Sequence, residues 1–101
     1  MTTYNKLVRD LIPDIIAAEG GTATIRLASQ EEYATKLRDK LQEQVDDFIS
    51  SSDPEQLADI MEVAYALARL VGHEPAHIDQ IRATKAAERG AFEKRIILEE
   101  A

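Results

Sequence analysis

Acidic and amide side chains on two neighbouring segments are the residues of this chain best suited to bind a cation. Long helices are expected on either side of a turn near Ser51 and Ser52, and an antiparallel hairpin places residues equally distant from that turn side by side. At about 100° per residue, positions three apart share one flank of a helix. The hairpin therefore gathers four side chains, with Glu43 beside them: Gln44, Asp47, Gln56 and Asp59.

Oxygen ligands of this kind suit Mg²⁺, a hard cation that keeps several waters and often binds through substrate phosphates. A solvated acidic face is the alternative interpretation, because charged runs on helices are most often exposed. The residue types and their spacing leave both interpretations open.

A second set of chemically useful residues is basic and lies near the two ends of the chain. Its members are Lys6, Arg9, Lys85, Arg89, Lys94 and Arg95. If the ends meet, these cations converge on an otherwise acidic protein and can hold a phosphate or a polyphosphate. Scattered surface ion pairs are the alternative.

The segment from His73 to His77 reads H-E-P-A-H, which matches the H-E-x-x-H pattern of zinc hydrolases. That chemistry needs both histidines on one face of a continuous helix. Pro75 disfavours helical geometry in the residue before it, so His73 and Glu74 are expected to precede the helix that carries His77. We therefore expect no zinc site here.

Helix start and stop signals divide the chain into four expected helices, over residues 8–19, 29–49, 53–71 and 75–89. Ser29 with Glu32 has the spacing of a capping box, in which the hydroxyl accepts from a first-turn amide and the glutamate reaches back. Asp53 followed by Pro54 is typical of a second helix start. Gly90 suits the position after the last helix.

Two short segments favour strands, one at 22–28 around Ile25 and one at 95–98 around Ile96. We expect them to pair. The predicted fold class is thus all-α, with an antiparallel helical hairpin forming a four-helix bundle and a short accessory two-strand pairing. With 101 residues and no linker, the chain is expected to form one domain over residues 1–101.

Composition excludes several classes of function. The chain has 12 Lys and Arg against 19 Asp and Glu, a net charge of −7, so its field repels polynucleotides and anionic membranes. It has no cysteine, which excludes disulfides and thiolate sites. No apolar run approaches the roughly 20 residues that span a bilayer, and the polar stretch 1–6 is unlike a secretion signal. We expect a cytoplasmic protein.

The segment 53–71 is apolar around most of its circumference, with alanines that allow close helix approach. A chain of this size has few other elements with which to cover it. We therefore expect a homodimer or higher homo-oligomer, in which two hairpins pair into the four-helix core and place the ligand site near the subunit boundary.

Four collinear blocks resemble a known family. Residues 4–10 read Y-N-K-L-V-R-D and are followed by Ile12-Pro13 and Ile15-Ile16, residues 57–67 read L-A-D-I-M-E-V-A-Y-A-L, residues 88–92 read E-R-G-A-F, and residues 95–99 read R-I-I-L-E. This pattern is similar to house-cleaning nucleotide pyrophosphohydrolases of the all-α MazG-type superfamily, labelled phosphoribosyl-ATP pyrophosphohydrolase-like. The resemblance covers essentially the whole chain.

The resemblance implies a Mg²⁺-dependent enzyme, with Mn²⁺ as a possible substitute, that splits a nucleoside triphosphate into a monophosphate and pyrophosphate. The superfamily pattern E-E-x-x-E and E-x-x-D falls on Glu43, Gln44 and Asp47, then on Gln56 and Asp59. Glu43, Asp47 and Asp59 would be catalytic, with Glu62 as an additional metal ligand. Phosphates would be held by Asn5, Lys6, Arg9, Lys85, Arg89 and Lys94.

The chain departs from that pattern at Gln44 and Gln56, where glutamate is usual, and at Asp47, which is one methylene shorter. An amide oxygen can coordinate a cation but brings no charge, so the metal is held less strongly. Weak activity is one expectation. A degenerate relative that binds nucleotide without hydrolysing it, or a purely structural helical module, are the alternatives.

Overall fold

The computed structural model describes residues 2–101, so only Met1 of the polar N-terminal stretch lies outside it. The chain forms four helices in this region: α1 (Ile12–Ala18), α2 (Gln30–Ser51), α3 (Pro54–Leu70) and α4 (Pro75–Arg89). The all-α prediction is confirmed for the described residues. None of these helices is long and apolar enough to cross a membrane.

The ends of α2 and α3 follow from local side-chain hydrogen bonds. Ser29 Oγ accepts from the Glu32 amide at 3.1 Å, and Asp53 Oδ1 accepts from the Glu55 amide at 2.9 Å, so both predicted N-caps are confirmed. α2 extends two residues beyond the predicted end at residue 49, and in this last turn Ser51 Oγ donates to the Asp47 carbonyl at 2.7 Å. Ser52 then takes a left-handed φ of 56° and ends the helix.

α1 is shorter than predicted, since it begins at Ile12 rather than at residue 8 and leaves Val8 outside the helix. Pro13 occupies its first turn, as expected from the fixed φ of proline. α3 and α4 begin and end within one or two residues of the predicted positions.

Packing is concentrated on the hairpin formed by α2 and α3, which are joined through Ser52 and Asp53. α4 makes a smaller contact with α3. Leu37 of α2 and Ala68 of α3 are the buried apolar side chains of the described chain, and Gln44 is also buried. In the single chain α3 is therefore not buried on most sides, since Leu57 and Met61 are half exposed.

The predicted strand pairing is not found within the described chain, which contains no strand. Arg95, the first residue of the predicted second strand, has a φ of 56° and donates its amide to Phe92 in a turn, which is incompatible with extended backbone. Ile25 and Ile96 are 62% and 76% exposed. A two-stranded ribbon with no buried face is at best marginal in water.

The capping box at the start of α2 is only half formed. The Glu32 carboxylate does not return to Ser29; it accepts two hydrogen bonds from the Arg26 guanidinium, at 2.5 and 2.7 Å. These hydrogen bonds lower the pKa of Glu32 below its usual value, against the opposing effect of desolvation, and raise the pKa of Arg26.

The Arg26–Glu32 pair predicts a pH-dependent contribution to stability. Because the pKa of Glu32 is lower in the folded chain, the contribution is present above about pH 4.5 and is lost as the pH falls through the folded value. We expect Arg26→Gln to lower the melting temperature slightly at pH 7 and to have a smaller effect at pH 3. Thermal unfolding of both proteins from pH 3 to 7 measures this; a difference that stays constant with pH would contradict it.

Candidate functional site

Two glutamine side chains in the hairpin carry buried oxygens without partners. Gln44 on α2 is 9% exposed, and Gln56 lies in the first turn of α3. Neither Gln44 Oε1 nor Gln56 Oε1 has a hydrogen-bond partner in the described structure. Buried amide oxygens are normally satisfied, so both are available to a cation or to a hydrogen-bond donor.

Two cations of the N-terminal segment lie directly on carboxylates of the hairpin. Lys6 Nζ is 3.1 Å from Glu43 Oε1 on α2, and Arg9 Nη2 is 2.6 Å from Asp59 Oδ1 on α3. The Asp59 side chain is only one-third exposed. The predicted basic and acidic sets therefore meet through these two pairs. The partners are separated by 37 positions in the first pair and by 50 positions in the second.

Backbone contact also holds this segment against α2. Lys36 Nζ donates to the Asn5 carbonyl at 2.9 Å, and Asn5 itself has a positive φ of 46°. Residues 5–9 thus lie across the hairpin, and we refer to them as the N-terminal strap. Asn5 contributes its backbone rather than its side chain to these contacts.

Lys36 and Lys40 are residues of this region that sequence reasoning missed. Lys40 Nζ lies 3.8 Å from Glu43 Oε1, so Glu43 is shared between two lysines. The signal was present in the spacing, because Lys36, Lys40 and Glu43 follow one another at i, i+4 and i+7 on one face of α2. This face carries two lysines beside Glu43 rather than a continuous acidic surface.

The other two acidic candidates, Asp47 and Glu62, do not take part in the contacts that the N-terminal strap makes with Glu43 and Asp59. The side chains of Asp47 and Glu62 are exposed and form none of the hydrogen bonds or ion pairs found in residues 2–101. No three His, Cys, Asp or Glu side chains of the described chain are close enough to share a metal ion. The four predicted ligand positions therefore do not form a carboxylate cage in the single chain.

The C-terminal cations lie apart from the hairpin contacts. Lys85 and Arg89 line a shallow depression on α4, and Arg89 lines a second one with Lys94 and Arg95. Within the described region, no hydrogen bond or ion pair joins these side chains to the hairpin carboxylates. Of the six basic residues predicted to converge, Lys6 and Arg9 are the two that contact the acidic set.

The H-E-P-A-H segment straddles a helix start, as its proline predicts. His73 precedes α4, Glu74 is the residue before its first turn, and His77 lies within it. The two imidazole rings stack with centroids 5.1 Å apart. This differs from the arrangement of two histidines one turn apart on a continuous helix.

Comparison of the chain with protein-family models, with curated proteins and with solved structures finds no match. The class of the protein therefore follows from its fold and candidate site alone. It is an all-helical protein whose central hairpin carries carboxylates and buried amide oxygens, and the cations of an N-terminal strap contact those carboxylates. This combination offers ligands for a divalent cation and for an anionic group on the same surface.

Proposed function

We propose that the protein is a Mg²⁺-dependent nucleotide pyrophosphohydrolase of low activity. The observation that carries the proposal is the contact of Lys6 and Arg9 with Glu43 and Asp59. Cations of the type that bind phosphate and carboxylates of the type that bind Mg²⁺ share one surface, as phosphoryl chemistry requires. The resemblance of residues 4–10 to the Y-N-K-L-V-R-D block supports the same activity.

The hairpin carries oxygens of the chemical type that a hard divalent cation prefers. Asp59 and Asp47 supply carboxylates, and Gln44 and Gln56 supply neutral oxygens that have no other partner. Glu43 and Glu62 are the additional acidic residues of this region. Mg²⁺, when bound, supplies positive charge beside the reacting phosphates.

In the proposed reaction, water attacks the α-phosphorus of a nucleoside triphosphate. The bond from that phosphorus to the bridging oxygen breaks, pyrophosphate leaves with the electron pair, and one proton passes to solvent. Lys6 and Arg9 bind the phosphate oxygens and offset their negative charge. Lys85, Arg89 and Lys94 would act in the same way if assembly brings α4 and the segment after it to the hairpin carboxylates.

The second candidate is a protein that binds nucleotide without hydrolysing it. The neutral side chains at Gln44 and Gln56 favour it, because each removes a negative charge that would hold the metal. A screen of nucleoside triphosphates with Mg²⁺ or Mn²⁺, read out as pyrophosphate, separates the two when combined with calorimetric nucleotide titration. Pyrophosphate release supports the hydrolase, and nucleotide binding without release supports the second candidate. If the protein neither binds nor hydrolyses a nucleotide, the structural module is the interpretation that remains.

We further propose that the chain acts in the cytoplasm as a homodimer, with the four-helix core formed by two hairpins. Within one chain α3 leaves Leu57 and Met61 half exposed. Dimerisation would also give the exposed segments around Ile25 and Ile96 a partner with which to pair.

Restoring both glutamates, as Gln44→Glu with Gln56→Glu, is expected to strengthen metal binding by about tenfold or more, since two charges return to the site. Because Gln44 is buried, the variant should also melt at a lower temperature without metal and recover when Mg²⁺ is added. Calorimetry and thermal unfolding measure both effects.

The matched control is Gln30→Glu with Gln80→Glu, which adds two charges at exposed positions. Weaker metal binding in a folded double variant would contradict the mapping.

A further inference from the structure

The N-terminal strap occupies the carboxylates that a divalent cation would need. Arg9 lies on Asp59, Lys6 lies on Glu43, and the backbone of the strap is held to α2 by Lys36. These contacts are not structural packing, because Lys6 and Arg9 are 44% and 59% exposed. Exposed ion pairs of this kind are individually weak and exchange readily for a stronger partner.

No net negative charge is left where the strap contacts the hairpin. Two carboxylates, Glu43 and Asp59, are contacted there by three cations: Lys6, Arg9 and Lys40. The ligand positions Gln44 and Gln56 are neutral. A bare divalent cation therefore meets a surface with no net negative charge and must displace Arg9 to reach Asp59.

We propose that Lys6 and Arg9 of the strap neutralise Glu43 and Asp59 while the site is empty, and that the site binds its divalent cation together with a polyphosphate rather than alone. Phosphate oxygens draw Lys6 and Arg9 off the hairpin, and the carboxylates of Glu43 and Asp59 become free for the cation. The inference rests on the proposed function for the location of the site. It adds that metal binding and polyphosphate binding are strongly and positively coupled.

The coupling follows from the shared use of the same charged groups. A polyphosphate that binds Lys6 and Arg9 raises the affinity for the cation, and by linkage the cation raises the affinity for the polyphosphate by the same factor. Removing the two strap cations should separate the effects: the cation alone binds more tightly, and the polyphosphate binds less tightly. If Lys6 and Arg9 only bound phosphate and had no role at the carboxylates, their removal would not change the affinity for the cation in the absence of polyphosphate.

The experiment measures binding of Mn²⁺ by loss of its free paramagnetic resonance signal, with and without inorganic pyrophosphate, after subtraction of the Mn²⁺–pyrophosphate complex in solution. For the wild-type protein we expect Mn²⁺ affinity to rise at least about tenfold when pyrophosphate is present. For Lys6→Gln with Arg9→Gln we expect Mn²⁺ alone to bind about tenfold more tightly than to wild type, with the coupling reduced. Adding Asp59→Asn to that variant should remove the gain.

The matched control is Arg26→Gln with Arg82→Gln. These arginines are also exposed and ion-paired, to Glu32 and Asp79, and their removal changes the net charge equally without touching the hairpin site. Circular dichroism checks that each variant is helical, and the wild-type coupling is measured without any substitution.

Equal Mn²⁺ affinity in the strap variant and the control would overturn the proposal. Absence of coupling in the wild type, or absence of Mn²⁺ binding in every protein, would overturn it as well. Coupling without pyrophosphate release from any nucleotide would leave the proposal standing and contradict the hydrolase function alone.

Discussion

Replacing Asp59 by Asn is expected to reduce metal-dependent pyrophosphate release at least about a hundredfold while the helices stay intact. Asp59 is the carboxylate of the site that combines partial burial with a direct contact to a strap cation, Arg9. The amide keeps the size of the side chain but removes its charge, so the cation loses an anionic ligand. The fold should persist, because the Arg9–Asp59 pair is an exposed one that contributes little stability.

The measurement is initial-rate pyrophosphate release over a range of Mg²⁺ concentrations, with circular dichroism to confirm helix content. Asp39→Asn is the matched control, since Asp39 is an exposed aspartate of α2 that lies outside the site and its substitution removes the same charge. Unchanged turnover in the Asp59 variant would remove the hairpin site from consideration. Equal losses in both variants would show a general effect of charge rather than loss of a ligand.

The helix boundaries could be predicted from the sequence because they depend on neighbouring residues. Ser29, Asp53 and Pro75 begin their helices through contacts within three positions, so their patterns are visible locally. The errors were also local: Arg95 takes a positive φ that no strand pattern reveals, and α2 continues through Ser50 and Ser51 to the left-handed Ser52.

The candidate site was predictable only in part, because its contacts join distant positions. Hairpin symmetry placed Gln44 and Gln56 in the α2–α3 hairpin, and both have buried oxygens there. Nothing in the spacing indicates that Arg9 should reach Asp59, 50 residues later, or that Lys36 should hold the strap. Such contacts depend on the path of residues 2–11, which form neither helix nor strand.

The surface of the single chain leads to the second large expected effect, which concerns assembly. Its accessible area is 8836 Å², whereas a compact monomer of this mass exposes about 5,700 Å². Its radius of gyration is 17.7 Å, against about 13 Å for a compact domain of this length. The excess area of about 3,100 Å² is sufficient for an obligate interface, which buries about 1,000–2,500 Å² on each partner.

The apolar side chains of the hairpin indicate where a second copy would pack. Leu57 and Met61 lie one turn apart on α3 and are 45% and 54% exposed, and Ile49 near the end of α2 is 73% exposed. Only two apolar side chains of the described residues, Leu37 and Ala68, are buried. A core of that size stabilises a domain only weakly, so we expect a second copy of the chain to cover the apolar face of the hairpin.

We therefore expect light scattering at micromolar concentration to give at least twice the mass of one chain. Met61→Glu should weaken association about a hundredfold or more, because it places a charge in the interface, and should lower helix content as the chains separate. Ala87→Glu is the control: it adds the same charge on α4, where Ala87 is exposed, and should leave the mass unchanged. A stable, well-folded wild-type species at the mass of one chain would show that the burial argument is wrong, because Leu37 and Ala68 would then suffice as a core.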